Sequence, residues 1–242
     1  MLLNYTHGFP WVFYFTTILR LSEVRKMPKP IPDYSLYVIT GESFSKGRST
    51  EDVIRQAILG GATVIQLREK EYCGKELIRV GKLLRDMTRE MGVTFIVNDR
   101  VDVAFAVDAD GVHLGQDDLP IEVARQILGP DKIVGISAGN MDEVLAAQAR
   151  GADYVGLGPV FATGTKSDAG EAVGLDLVKQ VCTRATIPVV GIGGIKANNA
   201  AQVIEAGAAG VSVITAVVSA DDVTEAARQL RHQIDLAKGL KG

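Results

Sequence analysis

Short apolar runs alternate with longer amphipathic stretches from residue 35 to the end of the chain. The amphipathic stretches carry apolar residues at three- and four-residue spacing, as at 53–58 and 144–148, which predicts helices. The apolar runs span four or five residues, and several are bounded by glycines, which is typical of buried parallel strands. We predict strands at 36–40, 64–68, 94–97, 111–114, 133–137, 154–158, 189–192 and 211–214.

Eight strands, each followed by a helix, predict an α/β fold of one domain, a closed (β/α)8 or TIM barrel over residues 35–242. A weak internal repeat supports this prediction, because Gly61, Gly151 and Gly207 each begin a Gly-Ala pair between a helix end and the next strand. Glycine there suits the left-handed residue that ends many helices. The segment 108–111 occupies the same place before the fourth strand. We assign these turns to the bottom of the barrel, where they serve the fold.

The first 34 residues do not continue this pattern, and we predict that they form an extension outside the barrel. Their apolar run at 9–15 is too short for a membrane span, which needs about 20 apolar residues. Positive charges follow the run instead of preceding it, which does not suit a signal peptide. The segment 27–32 contains three prolines and resembles a linker. We therefore expect no membrane association through this segment.

Composition narrows the class of function. Hydrophobic residues make up 47% of the chain, enough for a sizeable core. The 26 lysines and arginines are balanced by 29 aspartates and glutamates, which argues against a nucleic-acid-binding protein with a general basic face. The two cysteines, Cys73 and Cys182, form no CxxC pair, so we expect reduced thiols and a cytoplasmic location.

Polar residues at the end of the second strand are the first candidates for chemistry, since barrel active sites lie at the C-terminal ends of the strands. Alternation along this strand places Gln66, Arg68 and Lys70 on one face, with Ile65 and Leu67 on the other. We expect Gln66 and Arg68 to point into the barrel mouth. An arginine there is a good phosphate ligand because it is planar and always charged, although an internal ion pair with its neighbours is an alternative.

Carboxylates follow the third and fourth strands. Asp99 comes directly after the third strand, and Asp117 and Asp118 follow the fourth, shortly before the helix start at Pro120. Each aspartate by itself would suit a turn or a helix cap. Together, two carboxylates at adjacent strand ends are a candidate Mg²⁺ site, which needs one or two carboxylates plus substrate phosphates and water. We interpret His113 as a packed barrel residue and not as a base.

Two further strand ends could bind anions. The loop at 158–170 is long for a compact domain, and it offers hydroxyl, ammonium and backbone N–H donors to an oxyanion. After the seventh strand the segment 191–195 exposes glycine backbone, and the eighth strand ends in Ile214 and Thr215. Such a pair of strand ends forms the usual phosphate site of barrels. The residues thus suggest an enzyme that handles a diphosphate and a separate phosphate, without an evident nucleophile–base pair.

Five segments, in this order and spacing, resemble the thiamine-phosphate synthase family over roughly residues 35–235. They are QLREK at 66–70, NDRVD at 98–102, GVHLGQDD at 111–118, TGTK at 163–166 and GIGG at 191–194. The resemblance implies an Mg²⁺-dependent transferase of thiamine diphosphate biosynthesis. It would join a hydroxymethylpyrimidine diphosphate to a thiazole phosphate, or to its carboxylated form, and release pyrophosphate dissociatively. Its partners would be these small molecules, not nucleic acid or membrane.

The resemblance also implies a role for individual residues, carried over by position. Asp99 and Asp118 would hold one Mg²⁺ ion. The pyrimidine diphosphate would be bound by Gln66, Arg68, Lys70 and Asn98, with Ser137 and Lys166 at the leaving diphosphate. The thiazole phosphate would be bound by Thr163, Thr165, Gly194, Ile214 and Thr215. Of these, Arg68, Lys70, Ser137 and Lys166 would be catalytic.

Three departures from the family pattern and three rival functions remain. Gly139 stands where the family often has histidine, Thr215 stands where serine is common, and the N-terminal extension has no counterpart.

A related thiazole tautomerase shares the barrel but would lack the Asp99 and Asp118 carboxylates. A phosphate-sugar epimerase or isomerase would need an acid–base pair at the barrel mouth. The third rival is a non-catalytic barrel that binds phosphate ligands.

Overall fold

Eight short parallel strands pair in chain order and close into a barrel in the computed structural model, which describes residues 32–164 and 170–240. The predicted (β/α)8 barrel is therefore confirmed. The strands are β1 Leu36–Ile39, β2 Val64–Leu67, β3 Thr94–Asn98, β4 Gly111–Leu114, β5 Ile133–Ala138, β6 Tyr154–Leu157, β7 Val189–Ile192 and β8 Gly210–Val213. Each strand begins and ends within one residue of its predicted bounds.

Helices connect successive strands on the outside of the barrel, and a short 3-10 helix at Glu42–Phe44 follows β1. The two helices expected from apolar spacing at 53–58 and 144–148 are both present. The α-helices are α1 Thr50–Leu59, α2 Gly74–Glu90, α3 Val101–Ala106, α4 Ile121–Leu128, α5 Met141–Ala149, α6 Gly174–Arg184, α7 Ala200–Glu205, α8 Thr215–Val218 and α9 Val223–Ala237. Among the described residues, no helix is both long and apolar enough to cross a bilayer.

The apolar residues form two cores that follow from strand alternation. On β2, Ile65 and Leu67 pack outward beneath the helices, whereas Val64 points inward. The inner core also contains three tyrosines, and the ring of Tyr34 lies 4.7 Å from the ring of Tyr154. Tyr34 falls within the predicted extension, so the packing of the barrel begins before residue 35.

The turns at the bottom of the barrel adopt the conformations that their glycines predict. Gly61, Gly151 and Gly207 follow helix ends with φ of 105°, 88° and 105°. Asp108 takes the same left-handed conformation, with φ of 52°, before β4. These turns end the helices and leave the opposite end of the barrel for the site. Most of the predicted extension, residues 1–31, lies outside the described residues.

Candidate active site

A cavity of about 830 Å³ opens at the C-terminal ends of the strands. Its walls come from the segments after seven consecutive strands, β2 to β8. The predicted site residues on its lining are Arg68, Lys70, Asn98, Asp99, Asp118, Ser137, Thr163, Gly194, Ile214 and Thr215. Thr165 and Lys166 lie outside the described residues. Residues distant in sequence therefore meet in one cavity.

Gln66 is not part of the cavity lining. It points into the barrel as predicted, but it is buried, and its Nε2 donates a hydrogen bond of 2.7 Å to the Tyr37 hydroxyl. Arg68, two residues further along the chain, lines the cavity. Its backbone N–H donates to Thr40 Oγ1 at 2.9 Å, which ties the end of β2 to the end of β1. Gln66 therefore belongs to the layer of side chains beneath the cavity.

Asp99 and Asp118 lie close enough on the cavity wall for the Asp118 carboxyl group to raise the pKa of Asp99. Burial and this neighbouring carboxyl group raise the pKa of Asp99 to about 6, against the opposing effect of Lys70 and Arg68. Asp99 has a left-handed backbone, with φ of 59°, and its N–H donates to the carbonyl of His113 at 2.8 Å. Crowded carboxylates of this kind favour a bound cation.

Neither aspartate caps the helix that follows it. The residue before α3 is Arg100, which makes no side-chain cap, and Pro120 precedes α4. Asp118 does stabilise a turn, because its Oδ2 accepts the N–H of Gly115 at 2.6 Å. Its other oxygen is not needed for that turn. The capping alternative is therefore wrong for both residues, and the turn alternative holds for Asp118 alone.

The end of β7 shows why two consecutive glycines are needed there. Gly193 and Gly194 have φ of 96° and 65°. A Cβ on Gly194 would lie 2.8 Å from the carbonyl oxygen of Ala162 and from Cβ of Phe161. The N–H of Phe161 in turn donates to the carbonyl of Gly193 at 3.1 Å. The sixth loop and the end of β7 thus pack backbone against backbone beside the cavity.

Ser137, near the end of β5, connects the cavity to the barrel interior. Its Oγ lies 3.0 Å from Nε2 of His113, whose Nδ1 lies 2.9 Å from the Tyr154 hydroxyl. Its carbonyl accepts the side-chain amide of Gln116 at 2.6 Å. His113 is therefore packed in the barrel, as the sequence indicated.

Several residues on the cavity lining were not singled out in the sequence. Ser212 points inward from β8, and its buried hydroxyl has no hydrogen-bond partner among the described residues. Ser212 stands between Val211 and Val213, and this alternation could have predicted a polar side chain facing the barrel interior. Glu143 accepts the N–H of Gly139 at 2.7 Å, but with Asn140 it reads in sequence as an ordinary helix-capping pair. Lys196 adds a cation after β7, where the sequence drew attention only to the glycines.

Comparison with known proteins shows the family of the chain. The family model described as thiamine monophosphate synthase matches residues 36–217. The chain belongs to this family. It is an enzyme, a transferase of thiamine biosynthesis.

Members of the thiamine monophosphate synthase family with 44–53% identity cover most of the chain. A thiamine-phosphate synthase of Moorella thermoacetica is 53% identical over 209 residues, which is 86% of this chain and all of the relative. One from Methanocella arvoryzae is 52% identical over 82% of this chain and 93% of its own length. A solved thiamine phosphate pyrophosphorylase of Pyrococcus furiosus superposes with a TM-score of 0.79 at 44% identity, covering 85% of this chain and 98% of that one.

Proposed function

We propose that the chain condenses 4-amino-2-methyl-5-hydroxymethylpyrimidine diphosphate with 4-methyl-5-(2-phosphoethyl)thiazole, or with its carboxylated form. The products are thiamine phosphate and pyrophosphate. The observation that carries this proposal is that two cations, Arg68 and Lys70, line the same cavity as the interacting carboxyl pair Asp99 and Asp118. A phosphate-only ligand would need the cations, whereas a metal–diphosphate complex would engage both sets of charges.

The carboxyl pair fits a divalent cation. Asp99 has a raised pKa because burial and Asp118 disfavour its charged form, and a cation held by Asp99 and Asp118 would offset that penalty. Hard carboxylate oxygens are the ligands that Mg²⁺ prefers, with the remaining positions taken by water and phosphate. Bound there, Mg²⁺ would neutralise charge that builds up on the departing diphosphate.

The remaining steps fall to groups of the protein. Arg68 and Lys70 bind the diphosphate and stabilise it as its bond to the pyrimidine methylene breaks. Ser137, and Lys166 outside the described residues, donate to the same leaving group. The exocyclic amine of the pyrimidine supplies electrons as pyrophosphate departs, and the thiazole nitrogen captures the resulting cation. No protein nucleophile is required.

The second substrate, the thiazole phosphate, would bind to the part of the cavity wall formed by the segments after β6, β7 and β8. Thr163 and the backbone of Gly194, with Ile214 and Thr215, hold the phosphate of the thiazole so that the ring nitrogen faces the pyrimidine methylene. Thr165 completes this set from outside the described residues. Asn98 contacts the pyrimidine from the end of β3, and Gln66 acts from the layer beneath. We place the reaction in the cytoplasm, where the free thiols Cys73 and Cys182 remain reduced.

Pyrophosphate release by purified protein tests the proposal. With both substrates and Mg²⁺, thiamine phosphate should form in step with pyrophosphate, and omission of the thiazole phosphate or addition of EDTA should stop both. Asp118→Ala should reduce Mg²⁺-dependent turnover much more than it reduces thiazole phosphate binding. Asp102→Ala is the matched control, because Asp102 pairs with Arg100 at the surface and does not line the cavity. Thiazole phosphate binding without any coupling would point to the tautomerase or to a non-catalytic barrel.

A further inference from the structure

A continuous chain of hydrogen bonds crosses the barrel interior and ends at the cavity. Gln66 Nε2 donates to the Tyr37 hydroxyl at 2.7 Å, and the Tyr37 and Tyr154 hydroxyls are 2.9 Å apart. Tyr154 is 2.9 Å from Nδ1 of His113, and Nε2 of His113 is 3.0 Å from Ser137 Oγ. The five side chains of this chain of hydrogen bonds come from five strands of the described barrel, β1, β2, β4, β5 and β6. The fold as a whole therefore positions it.

The barrel leaves space specifically for these side chains. On β5, a Cβ at Gly135 would lie 2.2 Å from ring atoms of Tyr154. On β6, a Cβ at Gly156 would lie 3.2 Å from Cε1 of His113. The register pairs Ser137 with Gly156, so the missing side chain on β6 makes room for the imidazole beneath the serine. Any other residue at either position would displace a member of the chain.

We propose that this chain is polarised in one direction, from Gln66 to Ser137, and that His113 is a positioning residue that turns the Ser137 hydroxyl hydrogen toward the cavity. The direction begins at Gln66, because an amide nitrogen only donates. Tyr37 therefore accepts from Gln66 and donates to Tyr154. Tyr154 in turn donates to Nδ1 of His113, which leaves the ring proton on Nε2.

Both phenols hold their protons firmly, which keeps the sequence of donors and acceptors intact. Desolvation raises the pKa of Tyr37 and of Tyr154 above the ordinary value for a phenol. Each phenol therefore contributes one hydrogen and one acceptor site to the chain.

The consequence falls on Ser137. Its oxygen accepts the Nε2–H of His113, so its own hydrogen is directed elsewhere, and the cavity lies on that side. A serine held in this way is a donor to an anion, which is the role that a departing diphosphate requires. This step rests on the proposed function, because it takes the diphosphate to be the anion beside Ser137.

The tautomer of His113 tests the direction without reference to activity. Long-range ¹H–¹⁵N spectra of the full chain distinguish a protonated ring nitrogen from an unprotonated one, and the sequence has only three histidines. The signals of His113 are assigned by their loss in His113→Gln. We expect a proton on Nε2 and none on Nδ1. A proton on Nδ1 would overturn the proposal, because the chain would then run from Ser137 toward Gln66.

A pair of substitutions tests the positioning role. The amide nitrogen of His113→Gln reaches the place of Nε2, whereas that of His113→Asn reaches only the place of Nδ1. Both variants remove the ring from the same site, so thermal unfolding should report similar losses of stability. We expect kcat/KM for pyrophosphate release to fall roughly 10- to 100-fold in His113→Asn, the effect of losing one hydrogen bond to a charged group. His113→Gln should lose about threefold or less.

Ser137→Ala separates action through the serine from a general packing effect. If His113 acts through Ser137, the difference between the Asn and Gln variants disappears once Ser137 is alanine. Equal losses in the two His113 variants, or an unchanged difference in the Ser137→Ala background, would overturn the positioning role. A wild-type protein with no turnover would instead refute the proposed function, and the tautomer would still report the direction of the chain.

Discussion

The substitution Gly194→Ala should damage the wall of the cavity that we propose binds the thiazole phosphate, and the structure gives the size of the effect. Gly194 has φ of 65°, a conformation that costs an alanine roughly 1–2 kcal/mol. The new Cβ would also meet the carbonyl oxygens of Phe161 and Ala162 at 2.8 Å. These are backbone atoms, so the loop after β6 has to move away from the end of β7.

A close match for the backbone strain exists elsewhere in the chain. Gly92 has φ of 68° in the turn between α2 and β3, and its Cβ would meet nothing within 4 Å. Gly92→Ala should therefore lose only the conformational cost, offset by about 0.4–1 kcal/mol from the stiffer unfolded chain. Gly194→Ala should lose a further ~1–3 kcal/mol for the overpacked contact. The difference between the two variants isolates the contact.

Urea unfolding measures both losses of stability, and pyrophosphate release measures the effect on the site. In Gly194→Ala we expect KM for the thiazole phosphate to rise roughly 10-fold or more, since one displaced hydrogen bond to a charged group costs about 1.5–3 kcal/mol. KM for the pyrimidine diphosphate should change little, because the ligands that we propose for it, Arg68 and Lys70, follow β2 and not β7. Equal stability losses in the two variants, with an unchanged KM for the thiazole phosphate, would refute this reasoning.

Three other predictions follow from contacts within the barrel. Folding raises the pKa of Asp99 from 3.8 to about 6, so the folded protein binds the Asp99 proton more tightly than the unfolded chain does. Without metal, the contribution of Asp99 to stability should therefore fall as the pH rises from about 4 to about 6. Asp99→Asn should flatten that dependence in urea titrations between pH 4 and 7. The same proton competes with Mg²⁺, so the Mg²⁺ concentration for half-maximal turnover should rise as pH falls below about 6, and an unchanged value would contradict the assignment of Asp99. Gly135→Ala should destabilise the protein by about 3 kcal/mol or more in urea unfolding, because its Cβ would lie 2.2 Å from the buried ring of Tyr154.

The fold could be predicted from the sequence because each unit of the barrel repeats the same pattern, a short apolar strand followed by an amphipathic helix. A run such as Val189–Ile192 has no polar side chain on either face, and the helix after it buries Ala200, Val203 and Ile204 along one stripe, so the period identifies each element without reference to its neighbours. Where strand ends differ, the cause is the adjoining structure. Ile214 continues the apolar run after β8, but it takes the position before the short helix α8.

The depth of a residue in the barrel was harder to predict than its side. Alternation placed Gln66 and Arg68 on the same inward face, which the structure bears out for both. Two residues along a strand are about 6.6 Å apart, however, and that distance separates the cavity from the layer beneath it. The stagger between neighbouring strands decides which layer of inward side chains lines the cavity. That stagger cannot be predicted from the sequence of one strand alone.

The role of the aspartates needed tertiary structure for a different reason. An aspartate directly before a helix normally caps it. Asp99 is one residue too early for this, because Arg100 is the residue directly before α3. Its left-handed backbone and its hydrogen bond to the carbonyl of His113 hold it out of the cap and next to Asp118. Neither feature follows from the residues around Asp99 alone, since the carbonyl belongs to the next strand.

The charges on the cavity wall are complementary to a metal–diphosphate pair and to neither partner alone. Burial and the neighbouring Asp118 disfavour the ionised form of Asp99, and Lys70 and Arg68 only partly compensate for this. A diphosphate without a cation would satisfy Arg68 and Lys70 but would bring its negative charge toward the carboxylates. A cation without a diphosphate would satisfy the carboxylates but would stand near two positive side chains. Under the proposed function, the wall would therefore favour joint binding of the two, and the neutralising charge would be in place before the bond breaks.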